Sequence, residues 1–321
     1  MNLPPVETKT VIGYYSHKLF QRHLEGFGHV ESPERLRAIN TMLDNSPVRQ
    51  KLTVVESSPA ELEWLTRVHD AAYVDSILSL NITDPVLLDW GDTVATSDSP
   101  HAALYAAGAG VQACRAVLKG EYDLAFCAVR PPGHHAERDR AMGFCIFNNV
   151  AVAAADLLES GALSRVAIVD WDVHHGNGTE RMFVEDDRVL YISLHQYPHY
   201  PGSGHASMTG KGKGVGYTMN LPISAGAGDD EYRAAFETRV IPALDAFKPE
   251  FVLISAGFDA HRDDPLAEIN LSSAIFGELT RMLKACARKH CGGMIVSMLE
   301  GGYNLRALAE SVECHLQALA E

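Results

Sequence analysis

Two carboxylates and an imidazole alternate along the segment Asp170-Trp-Asp172-Val-His174. Residues two apart share a face of an extended chain, so these three side chains would point the same way. Carboxylates and imidazoles that converge are good ligands for a divalent metal. A second segment must contribute to such a site, and Asp259 is the best-placed candidate; two carboxylates and one imidazole would leave the open position of a catalytic site. The alternative is that these acids only cap the end of a strand.

Two other motifs carry groups that could transfer or donate protons. The sequence PPGHH ends in His134 and His135, and its prolines and glycine predict a fixed turn. Two imidazoles held there could divide a proton transfer, one accepting from water and the other donating to a leaving group. The sequence EGGY ends in Tyr303, whose phenol could donate a hydrogen bond to a developing oxyanion. The structural alternative for PPGHH is a surface loop, and for EGGY it is a turn beside a buried aromatic residue.

Short apolar runs rich in β-branched residues predict the strands that must position these groups. The runs span residues 11–15, 52–55, 124–129, 166–170, 189–194, 251–256 and 294–299. Helical patterns lie between them, over residues 101–119, 148–159, 229–247, 272–290 and 305–320, and a further helix starts at Ser32-Pro33. This alternation predicts an α/β protein in which a mostly parallel sheet carries helices on both faces. No linker or repeat divides the pattern, so we expect one domain over residues 1–321.

Each reactive motif directly follows one of the predicted strands. Ligands of open α/β sheets bind beyond the carboxyl ends of the strands, which lie at one edge of the sheet. The motifs that contain His135, Asp172, Asp259 and Tyr303 follow four different apolar runs. We therefore expect these side chains to meet at that edge.

Composition excludes several other classes of protein. The 321 residues include 41 acids and 27 bases, giving a net charge of −14, which argues against a nucleic-acid partner. No apolar run is long enough to cross a membrane, and the N-terminus lacks the pattern of a secretion signal, so we expect a cytoplasmic protein.

The six cysteines form no C-x-x-C pair, which disfavours structural zinc. Serine-hydrolase, H-E-x-x-H and phosphate-loop motifs are absent, and Gly108-Ala-Gly110 lies in an Ala-rich helical run that indicates helix packing.

Six ordered motifs together resemble the histone deacetylase family, close to its class II branch and its bacterial amidohydrolases. They are PPGHHA, GFCIFNN, VAIVDWDVHHGNGTE, LYISLHQYPHYPGSG, SAGFDAHRDDPL and EGGYN. The resemblance runs from Ser32 to Leu316. It implies the arginase/deacetylase fold, a three-layer αβα domain with a mostly parallel sheet of about eight strands. It also implies hydrolysis of N-acetyl-lysine-type amides by metal-activated water.

The resemblance assigns roles to the residues of the reactive motifs. It implies a Zn²⁺, with Fe²⁺ as the alternative, that is held by Asp172, His174 and Asp259. His134 and His135 would be the tandem histidines, either of which could be the base, and Tyr303 would polarise the acyl carbonyl. Asp170 would orient His134, and Asn177 would face His135. Because an amide carries no negative charge, we expect His135 to be less basic than it would be beside an aspartate.

The resemblance also implies a narrow tunnel for the acyl-lysine side chain and two sites for structural K⁺. The tunnel would be formed by Gly143, Phe144, Tyr200, Leu266 and Gly302. One K⁺ site would use Asp170, Asp172, His174, Ser193 and Leu194, and the other Phe183, Asp186, Val189 and Tyr217.

Several alternatives stay open at the level of the sequence. An acetylpolyamine amidohydrolase shares the catalytic residues, although its relatives carry an acid where this chain has Leu266. A catalytically silent scaffold is the alternative from another class. The acid at the rim of the site could be Asp92 or Asp98. A two-metal arginase is disfavoured because Gly176 and His261 occupy the positions of its second-metal acids.

Overall fold

The computed structural model describes residues 10–321 and shows a single domain built on parallel β-strands. The expectation of no secretion signal depends on residues 1–9, which lie outside the described residues. The strands are Ile12–Ser16 (β1), Leu52–Glu56 (β2), Val86–Leu87 (β3), Val94–Ala95 (β4), Leu124–Cys127 (β5), Val166–Asp170 (β6), Val189–Gln196 (β7), Thr218–Ile223 (β8), Phe251–Ala256 (β9) and Ile295–Leu299 (β10). Eight of them form one sheet in the order β2-β1-β5-β10-β9-β6-β7-β8, and every neighbouring pair is parallel.

Helices flank the sheet, as the strand–helix alternation predicts. They are Glu34–Asn45 (α1), Leu62–Thr66 (α2), Ala71–Leu78 (α3), Ser99–Leu118 (α4), Asn149–Glu159 (α5), Asn177–Phe183 (α6), Asp229–Ala235 (α7), Ile241–Phe247 (α8), Ser273–Cys291 (α9) and Leu305–Ala320 (α10). Helices α4 and α5 pack on each other and on the central strands, while α1, α9 and α10 form a second packed group. The predicted fold class is confirmed. Among residues 10–321, no helix is both long and apolar enough to cross a bilayer.

Small residues allow α4 to approach its neighbours closely. A Cβ added at Gly108 would lie 2.2 Å from the carbonyl oxygen of Ser58, so a side chain there would displace the backbone of the preceding loop. A Cβ added at Gly110 would lie 3.3 Å from the carbonyl oxygen of Asn149 in α5, so this glycine serves helix packing as predicted.

The sequence patterns missed β8, the short β3–β4 hairpin, the short helices α2, α3 and α6, and a break in the helix predicted over residues 229–247. Strand β8 lies at the edge of the sheet, where Pro222 is tolerated because only one neighbour needs a ladder hydrogen bond. Its half-buried pattern and its proline hid it from a search for continuous apolar runs. Between α7 and α8, residues Phe236–Val240 form a π-helical turn. Pro242 cannot donate a backbone hydrogen bond, which accounts for the interruption.

The strand order explains why the reactive motifs meet. Strands β5, β10, β9 and β6 are consecutive neighbours in the middle of the sheet. Because all four are parallel, the loops that follow them leave the sheet at the same edge. These loops carry the PPGHH, EGGY, GFD and DWDVH motifs, respectively.

Candidate active site

Asp172, His174 and Asp259 converge beyond the ends of two paired strands. The first two lie just after β6, and Asp259 follows β9, which pairs with β6. One donor atom of each side chain lies within 4.8 Å of the other two. His174 Nδ1 is 3.2 Å from Asp172 Oδ1 and 3.1 Å from Asp259 Oδ2. The structure thus brings together all three of the predicted metal ligands.

The charges and donor types of this cluster fit a divalent cation. Asp172 and Asp259 are at most 1% exposed. Burial and the carboxylate of Asp172 raise the pKa of Asp259, as expected of two buried acids in close proximity. The N–H of Val173 donates to Asp259 Oδ1, and the N–H of Gly301 donates to Asp172 Oδ2. The second oxygen of each carboxylate faces His174 Nδ1. Two carboxylates and one imidazole suit Zn²⁺ or Fe²⁺.

Another group of metal-type donors, between α8 and α9, differs in charge. Asp245, Cys286 and His290 also place donor atoms within 4.8 Å of one another. There, however, the carboxylate of Asp245 lies 2.9 Å from the ammonium of Lys289 and 2.6 Å from His290 Nε2. Its negative charge is therefore already balanced by a protein cation, and burial raises the pKa of Cys286 to about 11, which keeps the thiol protonated.

The PPGHH turn places two imidazoles next to the predicted metal ligands. The rings of His134 and His135 have centroids 4.0 Å apart. His134 Nδ1 lies 3.0 Å from Asp170 Oδ2, and His135 Nδ1 lies 2.8 Å from Asn177 Oδ1. Each imidazole is therefore oriented through Nδ1 by the predicted partner. The Nε2 atom of each ring is left for the site.

Their surroundings give the two histidines opposite pKa shifts. Burial lowers the pKa of His134, but the carboxylates of Asp172 and Asp170 outweigh it and raise the pKa well above its usual value. For His135, burial and the neighbouring His134 lower the pKa well below its usual value. A cation beside Asp172 would offset that carboxylate and so lower the pKa of His134.

A narrow cavity of about 220 Å³ leads from the surface to this cluster. Its walls include Phe144 and Tyr200, and Tyr303 lies with His135 and His174 at its inner part; the full lining is Asp92, His135, Gly143, Phe144, His174, His199, Tyr200, Leu266 and Tyr303. Burial raises the pKa of Tyr303 well above its usual value, so the phenol remains a hydrogen-bond donor.

The family of histone deacetylase domains matches residues 29–319. The chain belongs to the histone deacetylase family. It is 39% identical over 297 residues to a probable deacetylase of Archaeoglobus fulgidus, covering 92% of this chain and 82% of that protein. It is 40% identical over 284 residues to a histone deacetylase-like amidohydrolase of Pseudomonas aeruginosa, covering 86% and 73%. Human polyamine deacetylase HDAC10 is 39% identical over 301 residues, covering 90% and 44%.

A solved structure of this family has the same fold. The HDA15 HD domain superposes with a TM-score of 0.91 at 37% identity, covering 97% of this chain and 88% of that one. The predicted family and its deacetylase function, that of an amidohydrolase, are thus confirmed. The roles of individual residues remain predictions.

Two buried acids that hold the reactive loops of this deacetylase escaped the sequence analysis. Glu300 is fully buried, and its Oε2 accepts hydrogen bonds from the N–H groups of Gly133 (2.7 Å) and His134 (3.1 Å). Asp264 accepts from the N–H groups of Tyr303 (2.7 Å) and Leu266 (3.1 Å). Burial raises the pKa of both acids to about 7. Both acids stand inside the recognised motifs, which is the only signal that the sequence offered.

A buried ion cluster behind the EGGY loop was also missed. Arg35 Nε donates to the carbonyl oxygen of Gly302 at 2.7 Å, and its NH1 lies 3.0 Å from Glu31 Oε1. Arg130 donates to both carboxylate oxygens of Glu31. Gly302, predicted to line the tunnel, does not line the cavity and instead supports Tyr303 from behind through this contact.

The structure separates the candidates for the acid at the rim. Asp92 lines the mouth of the cavity, whereas Asp98 precedes α4 and does not line it. The two-metal alternative has no room, because a Cβ added at Gly176 would lie 2.3 Å from Asp170 Oδ2. His261 Nε2 is instead 3.1 Å from the hydroxyl of Ser273.

The residues predicted for K⁺ fall into two groups. Asp170 pairs with Ser193 in the register of β6 and β7, and Leu194 follows it, so the first group gathers at one strand end. In the second group, the N–H of Asp186 donates to the carbonyl oxygen of Phe183 at 3.0 Å. The Asp186 carboxylate is paired with Arg188. Val189 begins β7, and Tyr217 directly precedes β8.

Proposed function

We propose that this chain is a zinc-dependent deacetylase that hydrolyses N-acetyl-lysine-type amides. The observation that carries the proposal is the convergence of three buried metal-type ligands, two oriented imidazoles and one phenol at the end of a narrow cavity. Asp172, His174 and Asp259 would hold the ion. Fe²⁺ is the alternative for the same donors.

The bound ion would supply a Lewis acid and lower the pKa of water. The residues of the chain would do the rest. His134 or His135 would accept the proton of the attacking water at Nε2, since Nδ1 of each ring is engaged by Asp170 or Asn177. Tyr303 would donate a hydrogen bond to the oxyanion that develops on the acyl carbonyl.

Release of the amine requires a proton, because an amine anion is a poor leaving group. His135 lines the cavity, whereas His134 does not. We therefore assign the protonation of the departing amine to His135. The products would be acetate and a free amine.

The walls of the cavity favour an acylated lysine as the substrate. Phe144 and Tyr200 present aromatic surface to an aliphatic stem, and Leu266 places no charge near the entrance. An acetylpolyamine carries further ammonium groups, which Leu266 would not attract. The similarity to a polyamine deacetylase keeps that substrate as the second candidate. A silent scaffold is disfavoured because it would not need the complete set of reactive side chains.

We also propose the two K⁺ sites named above, one domain over residues 1–321 as the catalytic unit, and a cytoplasmic location. All six cysteines are unpaired, which is typical of a reducing compartment. No nucleic-acid or membrane partner is proposed, in keeping with the net charge of −14.

Metal content measured together with turnover of a fluorogenic acetyl-lysine amide would test the main proposal. We expect close to one Zn²⁺ per chain and amide hydrolysis that a chelator abolishes and Zn²⁺ restores. Asp259→Asn should lose both the metal and the activity. The matched control Asp245→Asn, in the charge-balanced cluster, should keep both. A protein with bound metal that cleaves no acetyl amide would contradict the proposal.

A further inference from the structure

The amide of Asn177 has a second hydrogen-bond partner that the deacetylase motifs do not explain. Its Oδ1 faces His135 Nδ1 at 2.8 Å, and its Nδ2 donates to Glu137 Oε1 at 2.7 Å. Glu137 is 6% exposed and follows the tandem histidines by two residues. A chain of three side chains therefore runs from the imidazole through the amide to a buried carboxylate.

Two arginines hold this carboxylate in its ionised form. Glu137 Oε2 accepts from Arg140 Nε at 3.0 Å and pairs with the guanidinium of Arg181. Burial raises the pKa of Glu137, but the hydrogen bonds from Arg140 and Asn177 and the charge of Arg181 lower it overall. Arg181 is one helical turn after Asn177 on α6, so one helix presents both groups to Glu137.

The same carboxylate is also fixed through its backbone. The carbonyl oxygen of Glu137 lies 2.9 Å from His69 Nδ1, and its N–H donates to the carbonyl oxygen of Arg140 at 3.0 Å. Because both the backbone and the carboxylate of Glu137 are held, the carboxylate would stay in place if the amide of Asn177 rotated.

An ionised carboxylate only accepts hydrogen bonds, and this decides which way the amide points. With Nδ2 toward Glu137, the oxygen of Asn177 faces His135 and can accept only from a protonated Nδ1. A flipped amide would place its oxygen against the carboxylate and its NH₂ against the ring. The neutral ring of His135 then carries its proton on Nδ1 and leaves Nε2 free to accept one.

We infer that Glu137 is a positioning residue that selects the reactive tautomer of His135 by fixing the orientation of the Asn177 amide. This inference rests on the proposed function for its kinetic consequence, but the tautomer itself can be observed without turnover. The amide at position 177 thus acts as a relay, and the negative charge lies one side chain further from the imidazole.

A double-mutant cycle measures whether Glu137 acts through Asn177. Glu137→Ala should lower kcat about tenfold or more with little change in KM, a size known for partners that orient functional histidines. In the Asn177→Ala background, the same change should have little further effect, because the relay is already broken. Arg138→Ala, in the same turn but paired with Asp70, should match the wild type. Equal losses in both backgrounds, or no loss in either, would overturn the inference.

Exchange of the acid and the amide gives a sharper second test. Asn177→Asp alone would place two carboxylates against each other, so its activity should fall. Adding Glu137→Gln would restore a donor toward Asp at 177 and should raise activity, whereas Glu137→Gln alone in the wild type should not. A double variant no better than Asn177→Asp would count against the relay.

The tautomer can be read directly from ring ¹⁵N chemical shifts in histidine-labelled protein, with His135→Gln used for assignment. We expect a protonated Nδ1 and an unprotonated Nε2 for His135 in the wild type, and a mixture of tautomers in Glu137→Ala at unchanged metal content. An unchanged Nδ1–H tautomer in that variant would refute the inference. Absence of amide hydrolysis in a wild-type protein that shows the expected tautomer would instead contradict the proposed function.

Discussion

The guanidinium of Arg35 lies over the ring of Tyr303, with its central carbon 5.0 Å from the ring centroid. The same side chain donates a hydrogen bond to the carbonyl oxygen of Gly302, the residue before Tyr303. Arg35 is fully buried and pairs with Glu31. One side chain thus holds both the backbone and the ring of the residue that we assign to the oxyanion.

Arg35→Lys should lower kcat by roughly tenfold to a hundredfold with little change in KM, because displacements near 1 Å in an active site have effects of about that size. Lysine keeps the charge that Glu31 needs, but it cannot bind the Gly302 carbonyl and cover the ring at once. Steady-state kinetics would show the effect. The exposed Arg37→Lys is the matched control. A change in KM with an unchanged kcat would argue against a role of Arg35 in positioning Tyr303.

Tyr303→Phe removes one hydroxyl from the inner part of the cavity. If the phenol stabilises the oxyanion, kcat should fall about 10²- to 10³-fold while metal content stays the same. Phenylalanine keeps the edge-to-face contact with Phe144, whose ring centroid is 5.7 Å away. Tyr105→Phe, remote from the cavity, should leave the kinetics unchanged. Full activity of Tyr303→Phe with bound metal would remove this residue from the mechanism.

Sequence patterns predict the fold class, a mostly parallel α/β sheet, because most of its strands are nearly continuous apolar runs. They also predict which reactive motifs meet, because parallel strands put their ends at one edge of the sheet. They fail where a contact joins distant segments without a local signature, as between Arg35 and Gly302, which are 267 residues apart. They also fail where an element has an atypical pattern, as in the edge strand β8, which carries a proline and is only half-buried.

The role of Glu137 shows the same limit at close range. Glu137 directly follows the PPGHHA motif, two residues after His135, yet its partner Asn177 is 40 positions away. The sequence supports the expectation that an amide at position 177 supplies no charge to His135. Only the packing of α6 against the turn that follows the histidines reveals a carboxylate behind that amide.

The buried Glu31 cluster should make stability depend on pH. Burial raises the pKa of Glu31, but Arg130 and His23 outweigh this effect, and the pKa lies well below the usual 4.5. A depressed folded-state pKa stabilises the fold above pH 4.5, and this contribution is lost as the pH falls below that value. Glu31→Gln should cost roughly 3–5 kcal/mol at pH 7, since it leaves Arg35 and Arg130 unpaired.

Urea unfolding of the wild type and Glu31→Gln between pH 7 and pH 3 would check this expectation. The difference in the free energy of unfolding between the two proteins should shrink as the pH falls. The exposed Glu121→Gln should follow the wild type throughout. A free-energy difference that stays constant over this range would mean that the pKa of Glu31 is the same in the folded and the unfolded protein.

Leu266 is the position at which the choice of substrate can be changed. It lines the cavity near Tyr200, and its N–H is held by Asp264, so a new side chain there would keep its place at the entrance. Leu266→Glu adds a negative charge that an acetylpolyamine, with its remaining ammonium groups, would meet and a neutral acetyl-lysine peptide would not. We expect kcat/KM for N-acetylputrescine to rise by about tenfold, equivalent to roughly 1.4 kcal/mol, and that for the peptide to fall. Leu266→Gln has a side chain of similar size without the charge and should not raise kcat/KM for N-acetylputrescine. Leu62→Glu, on the exposed surface of α2, changes the net charge equally and should not raise it either. A wild-type protein that already prefers N-acetylputrescine would reverse the order of the two proposed substrates, whatever the variant does.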